Sequence, residues 1–253
     1  MRDKLRNMLR ITVAYARLLT VFVHSGVWLS LVTLTAALRP GTFDYYPVAG
    51  VWIRGILSIF GAKLEVEGLE NLAPDARYVI LANHRSQLDP PAIGVALFPR
   101  VTRWVSKKEL RKIPVLGRTL EMTGQIFIDR SDPASAVEEL RRHCQDDGVL
   151  ICFFPEGHRS STRQLLPFKK GGAAFAISSG LAVVPVAVSG SETCLPNLSL
   201  VSAPGTIRIA IGKPIATDAL SAADAGSLTD RVRDEIEALL AGIEGPGSTS
   251  KAA

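Results

Sequence analysis

Cysteine is scarce in this chain, and its scarcity excludes two kinds of site. Of 253 residues only three are cysteine, and these form no CxxC pair and no metal-binding spacing with the four histidines. A disulfide framework or a zinc centre is therefore not expected, and no metal site is predicted. Few unpaired cysteines indicate a reduced, cytosol-facing domain. Cys152, in the apolar run VLICFF, is predicted to be plain core, because free cysteine packs as a small hydrophobe.

The folded part of the chain also has little net charge. The total is +5, but the first seventeen residues account for +4, since five basic residues there face the single acid Asp3: Arg2, Lys4, Arg6, Arg10 and Arg17. A nucleic-acid-binding face needs basic residues clustered over the folded domain, so no nucleic-acid partner is predicted. A basic N-terminus instead suits contact with anionic membrane lipids.

The sequence also lacks the GxSxG motif of serine hydrolases, and its absence disfavours hydrolysis as the activity.

A long apolar run is present near the N-terminus. Leu18 to Leu38 contains no charged residue over 21 positions, and as a helix it would extend about 31 Å at ~1.5 Å per residue, enough to cross a bilayer. Val48 to Gly61 is also apolar, but it is shorter and carries Arg54. A cleaved signal peptide is the alternative; it is disfavoured because the apolar core is long and no clear cleavage site follows.

The orientation of this segment determines where the rest of the chain lies. A single span with a basic N-terminal flank would place residues 40 onward outside the cytoplasm. We expect instead a membrane-embedded helical hairpin, turned near RPGTFDYYP, that enters the cytosolic leaflet and returns. The predicted organisation is a basic hairpin over residues 1–61, a folded domain over 62–242 on the cytosolic face of the inner membrane, and a disordered tail over 243–253.

Beyond Ala62, strand signals alternate with helix signals. Seven apolar runs have strand length: KLEVE, RYVILA, RWVSK, QIFI, VLICFF, AVVPVAV and TIRIAI. The clearest helix is DPASAVEELRRHCQDDG, residues 132–148, in which Asp132 can cap, Pro133 fits the first turn and Gly148 fits the end. GGAAFAISSG and SLTDRVRDEIEALLAG are two further helices. This alternation predicts an α/β domain around a largely buried sheet.

The stretch NHRSQLDPP places polar groups directly after the strand RYVILA. Ligands bind outside the carboxyl ends of strands in doubly wound sheets, so this is a candidate site. Asp89 is predicted to cap a helix beginning at Pro90; because the two prolines lack N–H donors, one carboxylate oxygen stays free for His84. Such a pair would orient the imidazole and make His84 a general base. A capping aspartate with an incidental histidine is the structural alternative.

Further polar groups follow other strands. FFPEGHRSS brings Glu156, Gly157 and Arg159 into one loop, which could equally be a simple turn with a surface ion pair. Cations also follow strands or lie in a basic turn, namely Arg130, Lys107, Lys169 and Lys170. Each alone is more often a solvated charge, but together they suit one focused anion site.

The four motifs NHRSQLD, GQIFIDR, FFPEGHRS and VVPVAV occur in the order, and at about the spacing, of those of the glycerolipid acyltransferases. The chain resembles most the bacterial 1-acyl-sn-glycerol-3-phosphate acyltransferases, over Ala62 to Ile215, and the segment Lys107 to Gly117 is also similar to that family. One departure is His158, which replaces the threonine of the usual FPEGTRS. It puts in doubt a hydroxyl contact at this position. An altered acceptor preference and a substitution without functional effect are the two interpretations of this difference.

The resemblance implies a mixed, mostly parallel sheet flanked by helices. It also implies transfer of a fatty acyl group from acyl-CoA or acyl-acyl carrier protein to the sn-2 hydroxyl of lysophosphatidic acid. The product would be phosphatidic acid for phospholipid synthesis, made without a cofactor beyond that co-substrate. Acylation of glycerol-3-phosphate or of another lysolipid, such as lyso-ornithine lipid, is an alternative, and so is a non-catalytic phospholipid-binding membrane module.

The resemblance also assigns roles to the candidate residues. His84 would take the hydroxyl proton while Asp89 holds its ring. The acceptor phosphate would be bound by three cations, Arg159, Arg130 and Lys107, in a pocket shaped by Glu156 and Gly157. The fourth motif would line the acyl-chain side through Val184, Pro185 and Val186.

Overall fold

The structure is a computed structural model and describes residues 2–129, 138–140, 142, 148–197 and 201–244. Over these residues seven strands form one sheet: β1 (Ala62–Glu67), β2 (Tyr78–Ala82), β3 (Thr102–Lys107), β4 (Ile126–Ile128), β5 (Leu150–Phe153), β6 (Val183–Ser189) and β7 (Gly205–Ile211). Each corresponds to one of the apolar runs predicted as strands.

The sheet order is β1-β7-β6-β2-β5-β3-β4. The five strands from β6 to β4 are parallel, β7 is antiparallel to β6, and β1 is parallel to β7. This confirms the mixed, mostly parallel sheet. The carboxyl ends of β2, β5, β3 and β4 consequently share one edge, where the polar motifs were predicted to meet.

Seven α-helices lie wholly within the described part of the chain. Two precede the sheet, α1 (Arg2–Leu38) and α2 (Tyr46–Ile59); the others are α3 (Asp89–Ala96), α4 (Leu116–Met122), α5 (Gly171–Ser179), α6 (Ser191–Cys194) and α7 (Ala225–Glu244). The predicted helix over 132–148 falls largely outside the described residues.

The core lies on both faces of the sheet. In β2, Ile80 points into a cluster shared with α2 and α3. Its neighbours Val79 and Leu81 point into the opposite cluster, shared with α5 and α7. All five residues of β2 are buried, and full burial of one aliphatic side chain stabilises a fold by about 1.5–3 kcal/mol. Because a central strand is covered on both sides, it reads in the sequence as a continuous apolar run.

The first two helices pack against each other. The chain turns between Leu38 and Tyr46, within the segment predicted to turn. His24 Nε2 lies 3.0 Å from the carbonyl oxygen of Trp52, and the Trp52 indole donates to Ser25 Oγ at 3.2 Å. A Cβ at Gly55 would stand 2.2 Å from His24, so glycine permits this close approach. The helix α1 begins well before the charge-free segment, at Arg2.

This pair of helices also contacts the sheet domain. The Arg17 guanidinium donates to Ser202 Oγ at 2.6 Å and to the Ser202 carbonyl oxygen at 2.8 Å. Farther along α1, the hydroxyls of Thr33 and Thr119 are 2.6 Å apart. The predicted boundary after residue 61 therefore divides the chain without separating two independent bodies.

Much of α1 exposes large apolar side chains. Within the described residues, its segment Ile11–Leu38 is the only one long and apolar enough to cross a membrane, judged by length and composition. Side chains at least half exposed include Leu19, Phe22, Val23, Val27, Leu34 and Leu38. The exposed apolar side chains of this long helix indicate membrane association.

Two predicted boundaries are wrong by a small margin. Helix α7 continues two residues beyond 242, because Ile243 extends its buried face at 7% exposure and Glu244 pairs with Arg85. Helix α3 begins at Asp89 itself, and Leu88 occupies the capping position without a side-chain bond. Residues 245–253, most of the predicted tail, lie outside the described residues.

Candidate active site

His84 and Asp89 form a hydrogen-bonded pair at the carboxyl end of β2. The distance from His84 Nδ1 to Asp89 Oδ2 is 2.8 Å, and the Asp89 side chain is fully buried while that of His84 is 16% exposed. An ionised carboxylate only accepts, so Nδ1 carries the proton in this pair. The other ring nitrogen, Nε2, is then unprotonated, and it bonds to none of the described residues. The arrangement therefore provides a base.

The Asp89 carboxylate does not cap its own helix, which corrects the sequence-based prediction. The chain turns back over residues 85–88, so the backbone N–H groups of Arg85 and Ser86 both donate to Asp89 Oδ2 at 2.7 Å. The same oxygen that binds His84 thus receives two further bonds, whereas Oδ1 has no partner among the described residues. Three donors on one atom hold the carboxylate in a single position.

The loop after β5 is bonded directly to the loop after β2. Glu156 Oε1 accepts the His84 backbone N–H at 2.7 Å, and Oε2 accepts that of Leu166 at 2.9 Å. The backbone N–H of Ser160 donates to the His84 carbonyl oxygen at 2.8 Å. Burial raises the pKa of the Glu156 carboxyl above its ordinary value, against the lowering effect of the two backbone donors. Glu156 therefore joins both loops from a site with almost no solvent contact.

Gly157 allows that loop its sharp turn. Its φ is +79°, which side chains disfavour, and its N–H donates to the Phe154 carbonyl oxygen at 3.0 Å. A Cβ at this position would lie 3.1 Å from Cε and Nζ of Lys169. The structure thus brings Lys169, in the predicted basic turn, over the loop that holds Glu156.

The structure describes two of the three cations that were predicted to bind phosphate. Arg159 is partly exposed, directly before Ser160, and makes no hydrogen bond or ion pair with the described residues. Lys107 ends β3 at the same sheet edge and is exposed. Arg130 lies outside the described residues. His158 is exposed beside Arg159. Within the described residues, Arg159 and Lys107 therefore have no ionic partner.

The fourth motif does not line a pocket, and that prediction is wrong. Val184 and Val186 are 0% exposed and belong to the core between the sheet and its helices. Pro185, between them in β6, is buried as well. These residues pair with β2, Val184 opposite Ile80. Their contribution is to the core and to the pairing of β6 with β2, the strand that precedes His84.

The sequence analysis did not identify three residues that lie around His84. Phe154 stacks on the imidazole, with ring centroids 3.9 Å apart, and Trp104 stacks on Phe154 at 5.1 Å. Arg85 is also buried, at 2% exposure, and its guanidinium donates to Glu244 and to the carbonyl oxygen of Arg163. The aromatic residues appeared only as parts of apolar runs, and no local pattern connects Arg85 to a residue so distant in sequence.

Other candidate chemistry is limited in the described residues. No group of three or more histidine, cysteine or acidic side chains is arranged to hold a metal ion there. Cys152 is fully buried, and burial strongly raises the pKa of its thiol. A thiol that stays protonated is a poor nucleophile, which agrees with its prediction as core.

The comparisons with known proteins identify the family of this chain. The sequence profile of the family described as Acyltransferase matches residues 63–189. A 1-acyl-sn-glycerol-3-phosphate acyltransferase from Saccharomyces cerevisiae is 34% identical over 183 residues, covering 70% of this chain and 60% of the yeast protein. A protein of the same name from Pseudomonas aeruginosa is 33% identical over 193 residues, covering 74% of each chain.

A solved structure extends the likeness to nearly the whole fold. The 1-acyl-sn-glycerophosphate (LPA) acyltransferase from Thermotoga maritima superposes with a TM-score of 0.74, covering 97% of this chain and 98% of that one, at 24% identity. At that identity the likeness concerns the fold alone.

The family match and the names of the relatives together show the class of enzyme, an acyltransferase. The chain belongs to the Acyltransferase family. Its relatives come from a bacterium, yeast and human among others, so the likeness is not confined to the bacterial members.

Proposed function

We propose that the chain transfers a fatty acyl group from a thioester, acyl-CoA or acyl-acyl carrier protein, to the sn-2 hydroxyl of lysophosphatidic acid. The product is phosphatidic acid. The observation that carries this proposal is the His84–Asp89 pair, with its 2.8 Å bond and an unbonded Nε2 among the described residues. The names of the relatives support the acceptor, and the fold supports the reaction class.

The chemistry needs no covalent enzyme intermediate, because a thioester is already activated. His84 Nε2 takes the acceptor's hydroxyl proton as the oxygen attacks the thioester carbonyl. Asp89 holds the ring and stabilises the imidazolium that forms. When the tetrahedral intermediate collapses, the carbon–sulfur bond breaks and the imidazolium returns its proton to the thiolate. The enzyme ends unchanged and requires no cofactor besides the acyl donor.

The acceptor's phosphate binds the cations near His84. Arg159 suits this role because its guanidinium has no partner among the described residues and a backbone bond ties its neighbour Ser160 to His84. A guanidinium binds phosphate through two parallel hydrogen bonds. Lys107 and Arg130 complete the phosphate site in this proposal. Glu156 and Gly157 shape its wall from the same loop, and binding fixes the hydroxyl beside Nε2.

The acceptor and product are lipids, which accounts for the apolar N-terminus. In the proposal, α1 and α2 hold the chain at the cytosolic face of the inner membrane. The exposed apolar side chains of α1 support contact with the membrane, the coarser part of this placement. A domain held there draws its acceptor from the lipid surface and returns the product without carrying either through water.

The decisive experiment measures free thiol release from acyl-CoA by the purified chain in detergent. Release should require lysophosphatidic acid and should produce phosphatidic acid in equal amount. His84→Ala should abolish turnover, and Asp89→Asn should lower kcat strongly, because an amide can hold the wrong tautomer. Circular dichroism checks that both variants fold. Substantial turnover by folded His84→Ala would remove His84 as the base.

A panel of acceptors separates the alternatives. Glycerol-3-phosphate, lysophosphatidylcholine and lyso-ornithine lipid are compared with lysophosphatidic acid under the same conditions. Preference for one of the others would replace the proposed acceptor while keeping the reaction class. Thiol release without any acceptor would indicate hydrolysis, and no release with any acceptor or donor would indicate a non-catalytic lipid-binding module.

A further inference from the structure

Three aromatic rings are stacked across three neighbouring strands. The His84 imidazole lies on the Phe154 ring, with centroids 3.9 Å apart and planes inclined by 13°. Phe154 lies in turn on the Trp104 indole, at 5.1 Å and 15°. The residues come from the ends of β2 and β5 and from within β3, which are adjacent in the sheet. The stack is therefore held by sheet register and not by a flexible loop alone.

The stack restrains a motion that the Asp89 bond leaves free. A single hydrogen bond at Nδ1 fixes one corner of the imidazole, but the ring can still tilt about that corner. A flat ring packed parallel to it prevents this tilt. Phe154 thereby keeps Nε2 aimed in one direction, and Trp104 behind it prevents Phe154 from moving away.

The stack also has an electrostatic effect. The face of an aromatic ring carries partial negative charge and attracts a cation placed over it. His84 becomes a cation when it accepts the hydroxyl proton. The Phe154 face is therefore better matched to His84 during the reaction than before it, and a contact that strengthens toward the transition state raises kcat.

We propose that Phe154, supported by Trp104, is a positioning residue that orients His84 and stabilises its protonated form. The inference rests on the proposed function, in which His84 is the base. Neither aromatic ring is assigned a contact with substrate.

Phe153 provides a matched control in the adjacent position. It points to the opposite face of the sheet, where its ring is 5.9 Å from that of Phe175. Phe153→Leu removes the same atoms as Phe154→Leu but from the core alone. A merely structural effect of losing a phenyl ring should therefore be similar in both variants or larger at Phe153, which is 9% exposed.

The experiment compares Phe154→Leu, Phe154→Tyr and Phe153→Leu by kcat, KM and pH–rate profile from about pH 5 to 9. Phe154→Leu should lower kcat about three- to tenfold with little change in KM. Its acidic limb should move about 0.5 unit to lower pH, because the protonated imidazole loses the ring face. Phe154→Tyr should retain the wild-type values, and Phe153→Leu should lower the melting temperature without moving the profile.

A direct measurement accompanies the kinetics. The imidazole signals are titrated by NMR in wild type and Phe154→Leu, and His84→Ala identifies the signal of His84. Its midpoint should shift in the same direction as the profile. An unshifted midpoint and unchanged kcat in Phe154→Leu, or an equal shift in Phe153→Leu, overturns the inference. If Phe154→Leu does not fold, Phe154→Met is judged by the same criteria. Activity retained by His84→Ala would instead overturn the proposed function.

Discussion

The guanidinium of Arg85 donates a hydrogen bond to the carboxylate of Glu244, a residue 159 positions farther along the chain. Arg85 directly follows His84, and Glu244 is the last residue of α7. Arg85 also lies 3.7 Å from a carboxylate oxygen of Glu192. The loop that carries His84 and Asp89 is thus tied to the end of the final described helix.

Loss of the Arg85 side chain should destabilise the protein. Arg85→Met leaves Glu244 partly buried without its cation, which should cost about 2–3 kcal/mol in the free energy of unfolding. The control is Arg233→Met, which removes an exposed partner of Glu237 on the same helix and should change stability by less than about 0.5 kcal/mol. Urea unfolding measures both. Equal changes in the free energy of unfolding would show that the Arg85–Glu244 pair stabilises the fold no more than an exposed ion pair does.

The pH dependence of stability should reveal the charge on Glu244. Burial alone would raise its pKa, but bonds from Ser189 and Arg85 hold that pKa below the ordinary value of 4.5. The ionised form therefore stabilises the fold above pH 4.5, and this stabilisation is lost as the pH falls through the lowered value. Wild type should exceed Glu244→Gln in stability at pH 7, and the difference should shrink below 4.5. A difference that grows in acid would contradict this pairing.

Replacement of Glu156 should disturb His84 without touching its side chain. Glutamine has one acceptor oxygen, so in Glu156→Gln either the His84 or the Leu166 N–H faces another donor. An unpaired buried donor costs about 1–3 kcal/mol, and kcat should fall by about tenfold or more. Glu237→Gln, which changes an exposed acid of α7 that pairs with Arg233, serves as the control. Unchanged kcat in Glu156→Gln would mean that its two bonds do not order the loop.

Arg159 should affect the acceptor more than the donor. Arg159→Ala should raise KM for lysophosphatidic acid by about 10- to 100-fold while KM for acyl-CoA changes little, because the lost bonds reach the phosphate. Arg159→Lys should restore part of the affinity as a point charge without the fork geometry. Arg163→Ala tests an exposed cation in the same loop and keeps the carbonyl that Arg85 binds. Equal KM changes for both substrates would exclude Arg159 from the phosphate site.

The outer surface of α1 should decide membrane binding. Leu19 and Phe22 are 65% and 76% exposed, so acidic replacements there should not disturb the core. Leu19→Glu combined with Phe22→Glu should reduce flotation with anionic vesicles, since a charge in the hydrocarbon region is costly. Leu69→Glu, on an exposed residue outside the N-terminal helices, is the control and should float as wild type does. Undiminished flotation of the double variant would place the lipid contact elsewhere.

Local patterns in the sequence predicted the sheet and part of the site. Apolar runs marked all seven strands because most are covered on both faces, and His84 and Asp89 are close enough in sequence for one loop to bring them together. The same rule explains the error at Val184 and Val186, since a buried run by itself does not distinguish core from pocket wall. The Asp89 carboxylate accepts the N–H groups of Arg85 and Ser86 because of the path of residues 85–88. That path depends on backbone angles, which the composition of the loop does not reveal.

Contacts between distant segments could not be predicted from one sequence. Phe154 reaches His84 only because β5 is placed beside β2, and Glu244 reaches Arg85 only because α7 packs across the sheet. Neither Phe154 nor Arg85 differs locally from an ordinary core aromatic or a solvated base. Their importance comes from the order of the strands, which many different local sequences could produce.

The two attachments of α1, from Arg17 to Ser202 and from Thr33 to Thr119, have a mechanical consequence. Because α1 is bonded to the sheet domain at two points that lie far apart along the helix, it cannot rotate freely against that domain. In the proposed function, the angle at which α1 enters the lipid then sets the height of His84 Nε2 above the headgroups. This height can be changed without any substitution near His84, by a different distribution of apolar and charged side chains along α1.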